Sequence, residues 1–217
     1  MSEASKADSK ASLSQSIGRF AELVADGTPT PGGGSVSAYC GVLAASLGLM
    51  VCSITISKPK YAAVEPRLKE ILSELERTGA RLRELIAEDA ESFEGVLHAY
   101  RLPKETEDQK EQRTIEIQRA LQWAIAVPFE TAERSLDVLK LLGELADLGT
   151  PNALSDVAVG AQLALVAVKG ASYNVGANLG SITDSVSAEM TRGGMDAIIE
   201  QSKTIADRVD EKIKTQR

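Results

Sequence analysis

Two long stretches of this chain carry almost no charge, and a soluble fold has to hide both from water. No Asp, Glu, Lys or Arg occurs from Gly27 to Ser57, and Lys169 stands alone between Asp156 and Asp184. Both stretches are rich in Gly, Ala and Ser, small residues that let helix backbones approach closely. Within the first, Val36–Ser57 is 22 uncharged residues, long enough to cross a bilayer. It also holds four Ser, one Thr and two Gly, and it follows a Pro-Gly-Gly-Gly turn. A buried core helix is therefore expected rather than a membrane span, with no other segment competing as a second span. A single bundle of 217 residues hides one such helix easily. Two of them point to a subunit interface, and a homodimer is the simplest arrangement.

The rest of the chain reads as helix. Apolar residues recur at helical spacing and no clean alternation appears. Aromatics make up only 4% of the residues, which suits packed helices better than a sheet. A first amphipathic helix covers about Leu13–Ala25, after a disordered tail at residues 1–12 that has no apolar core and is no signal peptide. Ser35 is placed to cap the uncharged second helix, which ends near Ile56. A third runs over Val64–Ala99, with an apolar stripe at Val64, Leu68, Ile71, Leu72, Leu75, Leu82, Leu85, Ile86, Phe93, Val96 and Leu97. The fourth, Glu105–Leu148, is expected to bend or break at Pro128. The fifth, Ala153–Leu179, is the second uncharged one, and a charged sixth spans Thr183–Lys214. The expected fold is an all-α, single-domain bundle of about six helices over residues 13–217, with two buried uncharged helices, and dimeric.

Charge and cysteine usage close several doors. The net charge of −7 gives no bulk attraction to nucleic acid or to an anionic membrane. Cys40 and Cys52 lie twelve residues apart, about 18 Å along a helix axis, too far for a disulfide. Two buried thiols and one histidine point to a reducing cytoplasm and supply no structural zinc set, so no metal is expected. His98 shows no nucleophile–base pattern and belongs on a helix surface or edge.

Chemistry concentrates in four places. Asp89 continues the apolar face through 82, 85, 86, 93, 96 and 97, where a carboxylate requires partners or a raised pKa. It is either a site residue or an acid at the wet edge of the core. Gly32, Gly33, Gly34 and Ser35 open a long helix, where backbone N–H groups favour an anion. There is no lysine at phosphate-loop spacing and no preceding strand, and a plain structural turn is the alternative. Asn152, Ser155 and Asp156 gather at the start of the fifth helix, where Asn152 could act as an N-cap. Asn174 and Asn178 stand one turn apart near its end, and buried amides need partners. The turns Lys58-Pro59-Lys60-Tyr61 and Arg101-Leu102-Pro103-Lys104 offer local positive charge in an acidic chain, or are solvated helix ends.

Taken in order, these segments resemble the family that contains the cyclodeaminase domain of formiminotransferase-cyclodeaminase and the bacterial methenyltetrahydrofolate cyclohydrolases. The resemblance rests on Pro29 through Ser35 with the Ala-rich helix after it, on Lys60-Tyr61, and on Asp89-Ala90-Glu91-Ser92-Phe93. It continues in Ala99 through Lys104, Val127-Pro128, Asn152 with Ser155-Asp156, and Asn174-Val175 with Asn178-Leu179. Thr150-Pro151 departs from the Gly-Asn that relatives often show there. The resemblance implies a helical dimer acting on a tetrahydrofolate derivative without a metal. It implies Asp89 as the catalytic acid or base, and Lys60 beside it. Gly32, Gly33, Gly34, Ser35, Tyr61, Lys104, Asn152, Ser155, Asp156, Asn174 and Asn178 are then substrate-binding. The reaction is hydrolysis of 5,10-methenyltetrahydrofolate to 10-formyltetrahydrofolate, or cyclisation of 5-formiminotetrahydrofolate with loss of ammonia. The first is preferred because no formiminotransferase segment accompanies these residues. The rival from another class is a non-catalytic helical scaffold, which requires Asp89 paired away in a filled core and no pocket near the glycine turn.

Overall fold

The computed structural model describes residues 17–215, so the tail at 1–12 and the start of the first helix fall outside the described residues. Six α-helices follow one another: α1 Ile17–Ala25, α2 Gly33–Ile56, α3 Glu65–Tyr100, α4 Glu107–Leu148, α5 Leu154–Leu179 and α6 Ser185–Thr215. Short 3-10 turns at Pro59–Tyr61 and Pro151–Ala153 precede α3 and α5, and no strand occurs among the described residues. Helices α2, α3, α4 and α5 form a four-membered ring, α2 packing on both α3 and α5, and α6 closes against α4 and α5.

The α3 stripe explains much of the ring. Leu68, Ile71, Leu75, Leu82 and Leu85 are fully buried, each side chain contributing about 1.5–3 kcal/mol relative to exposure. On the facing side α2 offers small residues, and a Cβ on Gly48 would stand only 2.7 Å from Leu75 Cδ1. The stripe does not stay buried to its expected end. Phe93 is 39% exposed and Leu97 half-buried, because α2 begins at Gly33 and does not reach the last turns of α3, where Val96 and Ala99 pack on α4 instead.

Helices α3 and α4 run antiparallel and are clamped twice. Arg67 meets Glu144 at 2.9 Å and Arg81 meets Glu130 at 2.8 Å, a spacing of fourteen residues on both helices. The start of α4 is fixed by a reciprocal capping box between Thr106 and Gln109.

Three local expectations need correction. Ser35 is not the cap of α2: Gly32 is, and Ser35 lies buried inside the first turn with its hydroxyl turned to α3. Asn152 caps nothing, since it sits exposed in the 3-10 turn and Ala153 precedes α5. Pro128 does not interrupt α4, which is helical throughout. Proline removes the N–H that would bond the Ala124 carbonyl four residues back, and Asn178 Nδ2 donates to that carbonyl instead, at 3.2 Å.

The two uncharged helices are found as expected, but the number of membrane-length segments differs from expectation. Both α2 and the segment Pro151–Leu179 are long and apolar enough to cross a membrane, so a second segment does match the first. About half of each lies buried inside the chain, 44% and 56% of the apolar windows. The remainder is an outward face. On α2 it carries Val36, Cys40, Leu43, Leu47, Met50 and Ile54, spaced four and three residues apart; on α5 it carries Val159, Leu163, Val166 and Tyr173. That spacing keeps each set on one side of its helix.

Candidate active site

The first turn of α2 meets α3 at Asp89. Ser35 Oγ donates to Asp89 Oδ2 at 2.9 Å and lies 3.1 Å from the Ile86 carbonyl. The Ser35 backbone N–H, one of the helix-start donors with no partner inside α2, also reaches the Asp89 carboxylate. A Cβ added to Gly34 would collide with the Asp89 carboxylate, so this approach of acid to helix start requires glycine. Burial raises the Asp89 pKa above its ordinary value, and the two Ser35 bonds offset part of that rise.

Around this acid is a cavity of about 140 Å³ lined by Pro29, Thr30, Gly32, Gly33, Gly34, Ser92, Phe93, Ala124, Asn174 and Asn178. Its roof is the loop before α2, where the Thr30–Pro31 peptide is cis. Its far wall is the end of α5. Asn174 Nδ2 donates to the Gly170 carbonyl at 2.9 Å, and Asn178 Nδ2 to the Asn174 and Ala124 carbonyls. With both amide N–H groups of Asn178 and one of Asn174 held by backbone, the two side-chain oxygens offer acceptors to a ligand.

The sequence-derived candidates therefore separate into two groups. Asp89, Gly32, Gly33, Gly34, Ser35, Asn174 and Asn178 come together at one cavity. Lys60, Tyr61, Asn152, Ser155 and Asp156 gather at the opposite end of α2 and α5, roughly 35 Å away along α2. There Lys58 Nζ donates to Thr150 Oγ1 at 3.0 Å, the Thr150 N–H donates to Thr55 Oγ1, and Lys60 Nζ lies 5.0 Å from the Tyr61 ring centre. A hydrogen bond with Thr150 and the charges of Lys60 and Lys58 lower the Tyr61 pKa, against a smaller opposing effect of burial. Lys104 is exposed in the turn between α3 and α4. Sequence reasoning missed Thr30 and Ala124 as wall residues. Pro128 was the available signal for Ala124, because it frees that carbonyl.

Burial pushes the Cys52 thiol up to about 11 and raises Cys40 as well, which leaves neither a ready nucleophile. Among the described residues no three His, Cys, Asp or Glu side chains gather as a metal site. Asp89 has no cationic partner among the described residues, and its cavity opens beside the glycine turn. Both observations run against the requirements of a scaffold.

An all-helical bundle with a half-buried carboxylate at a glycine helix start, facing amide groups, offers a candidate acid–base site. Residues 16–197 match the model of the formiminotransferase-cyclodeaminase family, and the chain belongs to that family. The chain is 34% identical to the methenyltetrahydrofolate cyclohydrolase of Methylorubrum extorquens over 201 residues, 93% of this chain and 97% of that one. It is also 34% identical to the formimidoyltransferase-cyclodeaminase of Rattus norvegicus over 89% of its length, spanning 36% of that longer protein. The crystal structure of formiminotetrahydrofolate cyclodeaminase from Thermotoga maritima superposes with a TM-score of 0.84 at 30% identity, covering 93% of this chain and 97% of that one. These relatives are enzymes.

Proposed function

We propose that this protein is a methenyltetrahydrofolate cyclohydrolase, which adds water to the one-carbon bridge of 5,10-methenyltetrahydrofolate and yields 10-formyltetrahydrofolate. The observation that carries the reading is Asp89, a carboxylate raised in pKa by burial and aimed by Ser35 into a small polar cavity. The Methylorubrum extorquens cyclohydrolase, similar along nearly its whole length, supports it.

Ionised Asp89 takes a proton from water as the oxygen attacks the amidinium carbon between N5 and N10. The protonated acid then returns that proton to N5 while the carbon–N5 bond breaks. The hydroxyl loses its proton to solvent as the formyl C=O forms on N10. A carboxylate with a raised pKa performs both transfers better than an ordinary one, because the difference in proton affinity from its partners is smaller. The cavity holds the reacting end of the folate, with Asn174 and Asn178 accepting from pterin N–H groups.

The second reading is a formimidoyltetrahydrofolate cyclodeaminase, favoured by the Thermotoga maritima structure. N10 then attacks the formimino carbon and Asp89 delivers the proton with which ammonia leaves. Loss of methenyltetrahydrofolate absorbance faster than its spontaneous hydrolysis tests the first reading, and ammonia release from 5-formiminotetrahydrofolate tests the second. Asp89→Asn is expected to lower the active reaction on the order of 10²-fold or more. Near-normal turnover would remove Asp89 from the mechanism.

A homodimer belongs to the same reading. The outward apolar faces of α2 and α5 need a cover, and a second copy supplies it without lipid. A two-fold copy laid antiparallel on these faces brings Lys60 and Tyr61 of the partner subunit to the Asp89 cavity, uniting the two groups of candidates. Reduced thiols at Cys40 and Cys52 fit a cytoplasmic protein.

A further inference from the structure

Beyond Asp89, α3 continues for eleven residues to Tyr100, about 16 Å along its axis. Phe93 and Tyr100 lie on the same side of the helix as Asp89, four and eleven residues on. Because α2 begins opposite Asp89, this side is covered only in part: Val96 is buried, while Phe93 is 39% and Tyr100 47% exposed. An apolar shelf therefore leads outward from the cavity, and a guanidinium stands at its far end. Arg113, on α4, lies 5.7 Å from the centre of the Tyr100 ring and donates from Nη2 to the Tyr100 carbonyl at 3.1 Å.

Arg113 is unlike its counterparts. Among the described residues four arginines are half-buried, at 67, 81, 113 and 134. Arg67, Arg81 and Arg134 each hold carboxylates within 4.0 Å, whereas Arg113 forms no ion pair with any described residue. Its Nε–H is buried and has no acceptor. In a chain of net charge −7, a half-buried guanidinium whose charge meets no carboxylate among the described residues is suited to an anion from outside the fold. The aromatic ring beneath it holds it in place.

We propose that this shelf binds the p-aminobenzoylglutamate part of the folate, with Arg113 binding a carboxylate of the glutamate. The inference rests on the folate reading above and adds a specificity residue to it. Phe93 and Tyr100 are placed to pack on the ring, and Arg113 is the recognition element for the charged tail.

The test compares binding of 5-formyltetrahydrofolate with 5-formyltetrahydropteroate, the same pterin and ring without glutamate, followed by Trp123 fluorescence. Wild type is expected to bind the glutamate-bearing probe about tenfold more tightly. Arg113→Ala is expected to bind both at the weaker affinity, and Arg113→Lys to recover part of the preference. A preference that survives Arg113→Ala overturns the inference, as does an Arg113→Ala that weakens both probes equally, the mark of a packing role. If wild type binds both probes equally, the folate reading stands and the tail contact falls. If it binds neither, the folate reading fails and takes this inference with it.

Discussion

The Asp89 carboxylate occupies the position in which a side chain on Gly34 would begin. Acid and helix start are thus fitted to each other, and neither can change alone. Gly34→Ala forces the carboxylate off Ser35 or pushes α2 away from α3. Overpacking of this kind costs about 1–3 kcal/mol, while misplacement of the acid is expected to lower turnover on the order of 10²-fold. Thermal unfolding and turnover, measured together, separate the two effects. A variant destabilised yet fully active would show that the placement of Asp89 over Gly34 is irrelevant to the chemistry.

The pH dependence follows from the causes of the Asp89 shift. Burial raises its pKa, and the Ser35 hydroxyl and backbone N–H pull it back. The acid limb of kcat/KM should therefore lie above the ordinary carboxylate range, and Ser35→Ala, which removes one lowering bond, should move it higher. Stability has the opposite sense. With its folded pKa above its unfolded value, Asp89 binds more protons in the native state, so stability falls as pH rises from the unfolded pKa through the folded one. Asp89→Asn lacks this loss. Its stability relative to wild type should therefore increase across that window in denaturant melts, and a constant difference would contradict the raised pKa.

Pro128 and Asn178 form a separable pair. Asn178→Ala leaves the buried Ala124 carbonyl without its donor, a cost of about 1–3 kcal/mol. In a Pro128→Ala background the restored backbone N–H reaches the same carbonyl, and the penalty should shrink. A double-mutant cycle should give a coupling of roughly 1 kcal/mol. Additive effects would mean that Asn178 does not replace the missing helix bond.

The helices were legible because their signals are local. Apolar spacing placed α3 to within a residue, and an acid on the α3 stripe marked Asp89 before any neighbour was known. What was not legible depends on where another helix stops. Phe93 and Leu97 fit the stripe, yet they are uncovered because α2 starts at Gly33, a fact the stripe itself cannot contain. Ser35 has the chemistry of a cap, but the close approach made possible by Gly34 turns its hydroxyl to Asp89 instead. The resemblance brought Lys60 and Asp89 together as one site, while a single copy of α2 holds their segments apart.

That separation gives the sharpest test of the shared site. If Lys60 acts across the interface, each cavity of the dimer takes Asp89 from one copy and Lys60 from the other. Asp89→Asn and Lys60→Ala homodimers are then both impaired, for different reasons. In a heterodimer of the two, one cavity carries both substitutions and the other carries neither. Random reassociation of equal amounts makes half the dimers mixed, with one intact site in each, so about a quarter of wild-type activity should return. Mixing must be followed by dissociation and reassociation, monitored by size, for the recovery to appear. Recovery well above the sum of the parents supports a site built from two copies. Activity that stays at the average of the parents, with mixed dimers demonstrably present, would confine the site to one chain and leave the Lys60 end of α2 without a catalytic role.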